Sequence, residues 1–582
     1  MPLIATVALA LALITPPAPH RAPPPLSDSA IRARVGTYAD RLAGLGYNGA
    51  ILVLRDGRPV LERAIGFANR ERGIKADLRT TWSLGSITKQ FTAAAILRLE
   101  ELGKLHTTDS ITRWLPDAPA DKRGITLHQL LTHTAGFESD YAPTDYTPNT
   151  RDEYMHRMLA APLQSPPGAE HSYSNAGYSM LAAIIEKVTG EEYEAALTRL
   201  VLAPAGMTET GYTRPAWAEA RIAHGYENGR DWGTIVEKLH VKGAPFWALR
   251  GNGGLQTTLA DMARWERVAR TNVVLTDSSR RKWMTGYVNE GPAGRSKYAY
   301  GWAVHLSDRN TRVVEHNGGN GVYVAEWRRL VDEGITLFVA SSVTGLSASP
   351  VVDDVETLVF GGEVHMPPVV VPMTPASLAS FAGQWRTTTY QDGVDITAQD
   401  GNLALRAAGP VAWRLLLKGD TAATARMTEI GARAESIVRA MTQGNAQPLH
   451  DALAEPDPIA EMTQQVKSLA ADRTERLGAL KLVTGLGAIP REAGVLVTTV
   501  RLDYERGVVS NVFVWGPGGR ITRRVARPLA ASTLVPVSAT AFERVDLSGG
   551  PPDPPVRIER VDATHLALVA SGGARLVLTK SP

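Results

Sequence analysis

The stretch 83-SLGSITKQFTAAAIL-97 decides how the N-terminal part of this chain is read. It sets Ser86 and Lys89 three residues apart and then runs into an apolar pattern. Phe91, Ala94, Ala95, Leu97 and Leu99 fall close to helical spacing, and the pattern stops at Gly103. It predicts a buried helix over 86–103 with a glycine stop. On a helix, positions i and i+3 share a face, so Lys89 can point back toward the Ser86 hydroxyl. A serine hydroxyl is a poor nucleophile at neutral pH and needs a neighbour to take its proton. At a helix start it also meets free N–H groups and the positive end of the dipole, which favour an oxyanion. The lysine must then be neutral or proton-sharing, a state that burial produces by lowering its pKa. Alone, the four-residue pattern is common by chance, and a serine cap beside a solvent-facing lysine is its plainer meaning.

Three further segments bear on that choice. In 172-SYSNAGY-178, Tyr173 and Asn175 flank Ser174. A phenol held near two ammonium groups can act as a general base, because positive charge stabilises phenolate. Asn175 beside it can donate to a substrate carbonyl. A loop with a capping residue is the alternative. In 315-EHNGGNG-321, glycines at the end of an apolar strand let backbone approach a ligand and supply N–H donors. A hairpin turn explains them equally. In 130-LLTHTAGF-137, His133 has the chemistry of a base, but a histidine fixing a loop by hydrogen bonds is the better reading.

The rest of the chain frames these segments. At 582 residues, 44% hydrophobic and 21% charged, it has the composition of a folded multidomain protein. The net charge of +3, with no basic run carrying interleaved aromatics, points away from nucleic acid. Zero cysteines exclude disulfides, thiolate metal sites and a cysteine nucleophile. No ligand cluster has metal spacing and no glycine loop has phosphate-binding form, so neither a metal nor an organic cofactor is implied. Residues 1–26, MPLIATVALALALITPPAPHRAPPPL, read as a signal peptide with a proline-rich leader. Its apolar run, about a dozen residues, is too short to span a bilayer. The n-region lacks Lys and Arg. Export to a periplasm or beyond is expected, with no transmembrane span after signal removal.

Residues 27–362 alternate apolar runs with amphipathic segments, which indicates an α/β domain. Asp56-Gly57 marks a hairpin turn between two strands. The segment 174–190 reads as a second helix, capped by Ser174 or Asn175. Residues 299–306, 311–319 and 321–330 read as neighbouring antiparallel strands. A linker rich in proline and valine occupies 363–377. Beyond it, 378–419 read as short strands and 427–476 as two polar helices. Strands follow to the end, with 495–504 and 508–516 forming a hairpin. This texture fits one α+β domain, or a β-barrel interrupted by a small inserted unit.

Taken in order, S-x-x-K, H-T-A-G, Y-S-N and H-N-G-G resemble the serine β-lactamase and penicillin-binding-protein superfamily. Its class C branch, with β-lactamase-like esterases, D-aminopeptidases and D-Ala-D-Ala carboxypeptidases, is the nearest. The resemblance covers roughly 30–360 and continues between the motifs through 88–105 and 166–190. It implies a domain with a central antiparallel sheet flanked by helices. It also implies Ser86 as the acylated nucleophile, Lys89 as its proton partner and Tyr173 as the base. Asn175 and His316, with Gly318 and Gly319, would contact substrate, and the backbone N–H groups of Ser86 and Gly319 would form the oxyanion hole.

One departure matters. The third motif of class C β-lactamases begins with lysine, which helps hold the antibiotic carboxylate; here it begins with His316. A mostly neutral histidine is a weaker anchor, and Arg250 is the candidate replacement. The expected activity is therefore an exported serine hydrolase acting on D-amino-acid peptides or amides, peptidoglycan fragments included, or on small esters. The alternatives are a weak class C-type β-lactamase and a non-enzymatic sensor of β-lactams or peptidoglycan fragments. The fragments 381-FAGQW-385, 395-DITAQDGNLALR-406 and 533-TLVPVSATAFERV-545 resemble a lipocalin-like barrel, giving 378–426 and 527–582 to it. The intervening 427–526 are similar to a nuclear-transport-factor-2-like cone.

Overall fold

A computed structural model describes residues 24–142, 144–227, 229–239, 246–389, 392–399, 401–491, 494–529, 531–545 and 556–581. Most of the expected leader therefore lies outside the described residues. Leu26, at its end, is tied down, its N–H donating to the Val359 carbonyl at 2.9 Å. Among the described residues no helix is long and apolar enough to cross a membrane.

Helix α1 (Asp28–Gly44) starts at Ser27, whose hydroxyl accepts from the Ala30 N–H. Strands β1 (Gly49–Arg55) and β2 (Arg58–Ile65) follow, joined by Asp56 and Gly57 at φ 50° and 76°. Positive φ at both positions is what a two-residue hairpin turn matching strand twist requires. Next come α2 (Thr88–Glu101), α3 (Asn175–Thr189) and α4 (Leu259–Arg270). The chain then runs through β3 (Val288–Asn289), β4 (Ser296–Tyr298), β5 (Ala303–Leu306) and β6 (Arg312–Asn320). Strands β7 (Tyr323–Leu330) and β8 (Ile335–Ser341) and helix α5 (Ala348–Val359) complete the unit.

The sheet order is β2-β1-β8-β7-β6-β5-β4-β3, and every neighbouring pair is antiparallel. Both faces are covered, which is why β1 reads as an unbroken apolar run. Its Ala50, Leu52 and Leu54 pack with α2, α3 and α4, while Ile51 and Val53 pack with α1 and α5. The strand expected over 299–306 is shorter, because 299–302 turn between β4 and β5. Gly301 sits there at φ 79°, and a Cβ on it would lie 2.9 Å from the backbone of Lys89 and Gln90. The turn is pressed against the start of α2.

The C-terminal region holds a closed barrel. Its first strands are β9 (Gly383–Arg386), β10 (Gly393–Gln399) and β11 (Asn402–Ala407). Helix α6 (Pro410–Lys418) then replaces part of the strand run expected over 378–419. Its start is fixed from a distance, by the Asp392 carboxylate accepting from Val411 and Ala412 N–H at 2.6 and 2.9 Å. Three helices, not two, follow: α7 (Ala425–Thr442), α8 (Gln447–Ala452) and α9 (Ile459–Leu477). They cover one face of an antiparallel sheet of β12 (Leu480–Pro490), β13 (Leu496–Tyr504), β14 (Gly507–Trp515) and β15 (Ile521–Pro528). Strands β16 (Ser532–Pro536), β17 (Ala541–Val545), β18 (Val556–Arg560), β19 (His565–Ala570) and β20 (Arg575–Lys580) return to the barrel. Pairing of β9 with β20 closes it.

Candidate active site

The nucleophile candidate stands where a strand gives way to a helix. Trp82–Ser83 pair with Gln256–Thr257, and the Leu84 N–H donates to the Leu255 carbonyl at 2.9 Å. The chain reverses at Gly85, φ 50°, into a single 3₁₀ turn, Gly85–Ile87, that runs into α2. No side chain caps this turn or the start of α2. Partly exposed Ser86 thus sits on a helix start whose N–H groups are left for another acceptor.

Strand β6 lies edge-on against that turn. A Cβ on Gly318 would meet the Leu84 carbonyl at 2.1 Å and the Ser86 nitrogen at 2.6 Å. A Cβ on Gly85 would meet the Gly319 nitrogen at 2.3 Å. Gly318 is therefore a buried spacer that lets two backbones touch, while the nearest atom to a Cβ on Gly319 is 3.7 Å away. The expected consequence is asymmetric. Gly318→Ala should destabilise the protein by about 1–3 kcal/mol, as overpacking does, and Gly319→Ala should leave thermal unfolding near that of the wild type. Equal melting temperatures for the two variants would contradict the contact.

Lys89 is fully buried and its Nζ has three partners. They are Ser86 Oγ at 3.0 Å, Asn175 Oδ1 at 2.8 Å and the Asn252 carbonyl at 2.9 Å. Burial holds its pKa well below the usual lysine value, against a smaller upward pull from Asp140 and Asp145. No carboxylate lies within ion-pair distance of it among the described residues.

Tyr173 immediately precedes Ser174, the cap of α3, and stands near Ser86, which works against the burial that raises the Tyr173 pKa. Its ring centroid lies 4.7 Å from Lys89 Nζ. Burial raises the Tyr173 pKa above the ordinary phenol value, so the hydroxyl keeps its proton. His133 brackets this residue: its carbonyl accepts from Ser172 N–H at 2.8 Å and its Nδ1 from Ser174 N–H at 3.0 Å. That is the loop-fixing role expected of it, held at φ 57°.

Burial keeps His316 neutral, and two hydrogen bonds orient its ring. Its Nδ1–H donates to the Asn317 carbonyl at 2.5 Å, leaving Nε2 to accept from the Tyr298 hydroxyl at 3.0 Å. Burial, with Lys89 nearby, lowers its pKa to about 4. The second ammonium group that would favour a Tyr173 phenolate is therefore absent. Arg250 does not replace it. Its guanidinium stacks on Tyr212 at 4.5 Å and faces Glu194 and Glu192 at 3.6 and 3.9 Å.

Sequence reasoning missed two members of the site. Asn252, whose carbonyl holds Lys89, is fixed by its own Nδ2 donating to Ser179 Oγ and the Ala248 carbonyl at 2.7 and 2.6 Å. The glycines around it in 250-RGNGGL-255 were the available signal. Tyr298, the partner of His316, carries no local signal. Beyond Tyr173 and His316 a cleft of about 640 Å³ opens, lined also by Glu290, Glu315 and Arg328. Arg328 is spent on Glu315 and Glu326 at 2.7 and 2.6 Å, and His305 contacts Glu315 at 3.0 Å. Exposed Arg295 stands at the rim.

Comparison with known proteins assigns the N-terminal unit to a family. The family described as Beta-lactamase matches residues 36–359, more than half of the chain. Penicillin-binding protein 4* of Bacillus subtilis is 25% identical over 398 residues, spanning 64% of this chain and 87% of that one. The putative penicillin-binding protein PbpX of the same organism is 30% identical over 265 residues, 45% of this chain and 63% of its own. Among solved structures, the octameric penicillin-binding protein homologue from Pyrococcus abyssi shares the fold over 95% of this chain and 100% of that one. The TM-score is 0.51 and the identity 18%. With the family matched across the whole unit that carries Ser86, Lys89 and Tyr173, this chain belongs to the beta-lactamase family of serine hydrolases.

Proposed function

We propose that Ser86 is acylated by D-amino-acid peptides, amides or small esters, with neutral Lys89 as the base that takes its proton. One observation carries this reading: Lys89 Nζ is fully buried 3.0 Å from Ser86 Oγ, with no carboxylate within ion-pair distance of it among the described residues. The Asn252 carbonyl can only accept, and Asn175 presents its amide oxygen. The Ser86 hydroxyl can accept as a third partner of an ammonium; in the neutral amine that burial favours, two hydrogens serve the carbonyls and the lone pair is free to take the Ser86 proton. As Ser86 Oγ attacks the carbonyl, its proton passes to Lys89 and the oxyanion is received by the N–H groups of Ser86 and Gly319. Tyr173 then donates its phenolic proton to the leaving group, a phenolate that the newly formed Lys89 ammonium stabilises and reprotonates. The same groups, run in reverse, activate the water that releases the product. This division of labour differs from a resting Tyr173 base, because among the described residues the buried site holds no second cation.

The substrate reading rests on the third motif. With His316 neutral and Arg328 neutralised by carboxylates, rim Arg295 is, among the described residues lining the cleft, the cation left to attract a substrate carboxylate. Substrates without a carboxylate should therefore be turned over within about tenfold of matched substrates bearing one, less than a dedicated anchor gives. A larger preference for the carboxylate series would return the weak β-lactamase to first place. A time course of intact mass with a penicillin tests enzyme against sensor. A decaying adduct marks turnover, and a permanent one marks the sensor. Export rests on the leader 1–26, and the lipocalin-like and inserted α+β labels for the C-terminal region rest on resemblance supported by strand order.

A further inference from the structure

The α+β unit inserted between barrel strands contains a cavity of about 310 Å³ under β14 and β15, remote in sequence from every residue of the candidate active site. Its walls are apolar: Met441 of α7, Val466 and Leu469 of α9, and Phe513 of β14. Asn511, two residues before Phe513 on the same strand face, points into it and is 3% exposed.

The inward stripe of α9 runs Met462, Val466, Leu469 and then Arg473, which places a guanidinium where the period demands an apolar residue. Arg473 is 6% exposed, and among the described residues no carboxylate lies within ion-pair distance of it. Asn511 is its hydrogen-bond partner, with Tyr504 nearby. Burial lowers the Arg473 pKa, as it does for a cation without a counter-charge. Its Nη2 donates to Asn511 Oδ1 at 3.1 Å. Arginine has no acceptor, so the Asn511 amide must turn its oxygen to Arg473 and its NH₂ the other way. That Nδ2 is buried and has no hydrogen-bond partner. A buried donor without an acceptor costs free energy, and a buried cation without an anion costs more. Asn511 lines the cavity, and Arg473 lies behind it, hydrogen-bonded to its oxygen.

We propose that this cavity binds a small carboxylate with an apolar body. The carboxylate accepts from Asn511 Nδ2 with Arg473 directly behind it, and the body lies against Met441, Val466, Leu469 and Phe513. Arg524, which donates to Gln465 Oε1 at 3.0 Å, stands at the mouth. A neutral carbonyl would satisfy Asn511 and leave Arg473 uncompensated, whereas a carboxylate answers both. The proposal is independent of the chemistry at Ser86.

The test is calorimetric titration of the full-length protein with octanoate, 1-octanol and octylamine, repeated on Asn511→Asp and Asn511→Leu. Octanoate should bind saturably at one site, with octanol weaker by roughly tenfold or more and octylamine unbound, as loss of a charged hydrogen bond predicts. Asn511→Asp keeps the side-chain shape and gives Arg473 a carboxylate, so it should fold with an unchanged or raised melting temperature. It should nonetheless lose octanoate by roughly 10- to 100-fold. Absence of saturable octanoate binding would overturn the proposal. So would octanol binding as tightly, or octanoate affinity in Asn511→Asp within about twofold of the wild type, because the ligand would then occupy another site.

Discussion

Ser86→Ala should abolish fluorophosphonate labelling, penicillin acylation and turnover together. The expected loss in kcat is on the order of 10⁶, the scale on which a hydrolase falls when its nucleophile is removed. The fold should survive the change, because Ser86 is partly exposed and its hydroxyl, among the described residues, accepts from Lys89 alone. The backbone N–H of residue 86 and the Gly318 contact are unaltered, so carbonyl binding persists and any residual rate reports the oxyanion hole alone. Intact mass of wild type and variant, run side by side with both probes, gives the answer. Turnover retained in the pure variant would mean that a different group attacks the carbonyl.

Lys89→Ala should slow acylation by roughly 10²–10⁴-fold, the usual contribution of a positioned proton-transfer partner. Lys89→Arg should be no better, since a guanidinium stays protonated. The pH profile adds a test that a merely structural lysine would not pass. Burial depresses the Lys89 pKa, so the amine is neutral and active above that depressed value and is silenced by protonation as pH falls through it. The Tyr173 pKa is raised, so the phenol stays protonated on the alkaline side. Wild-type acylation should therefore show an acid limb and remain high as pH rises, and the Lys89→Ala profile should lose that limb. An alkaline limb at the ordinary lysine pKa of about 10 would mean that the working form is the ammonium, and that Tyr173 takes the serine proton instead.

What could be read from the sequence was local. The Asp56-Gly57 hairpin, the helix starting behind Ser86 and the Ser174 cap follow from turn chemistry and periodicity within a few residues. The i, i+3 spacing of Ser86 and Lys89 belongs to the same class, as does the loop-holding role of His133. Their shared limit is range. The hairpin turn allowed for 315–321 is instead a strand up to Asn320, because its pairing partner Tyr323–Leu330 and the backbone at Gly85 hold it extended. Helix α6 was missed because its first turn is capped by Asp392, some twenty residues upstream.

The chemistry of the site was decided by packing. Sequence named Lys89, Tyr173 and His316, but their protonation depends on water excluded by distant segments. The Asn252 carbonyl arrives from a loop far along the chain to hold Lys89, and Tyr298 comes from a neighbouring strand of the sheet to meet His316 Nε2. Arg250, read from proximity in sequence as an anchor, turned to Glu194 and Tyr212 because those neighbours were nearer in space. Sequence determined which groups this protein carries and in what local order. Only the tertiary structure decided their charge, because desolvation and hydrogen-bond partners are set by residues that the chain brings together over long separations.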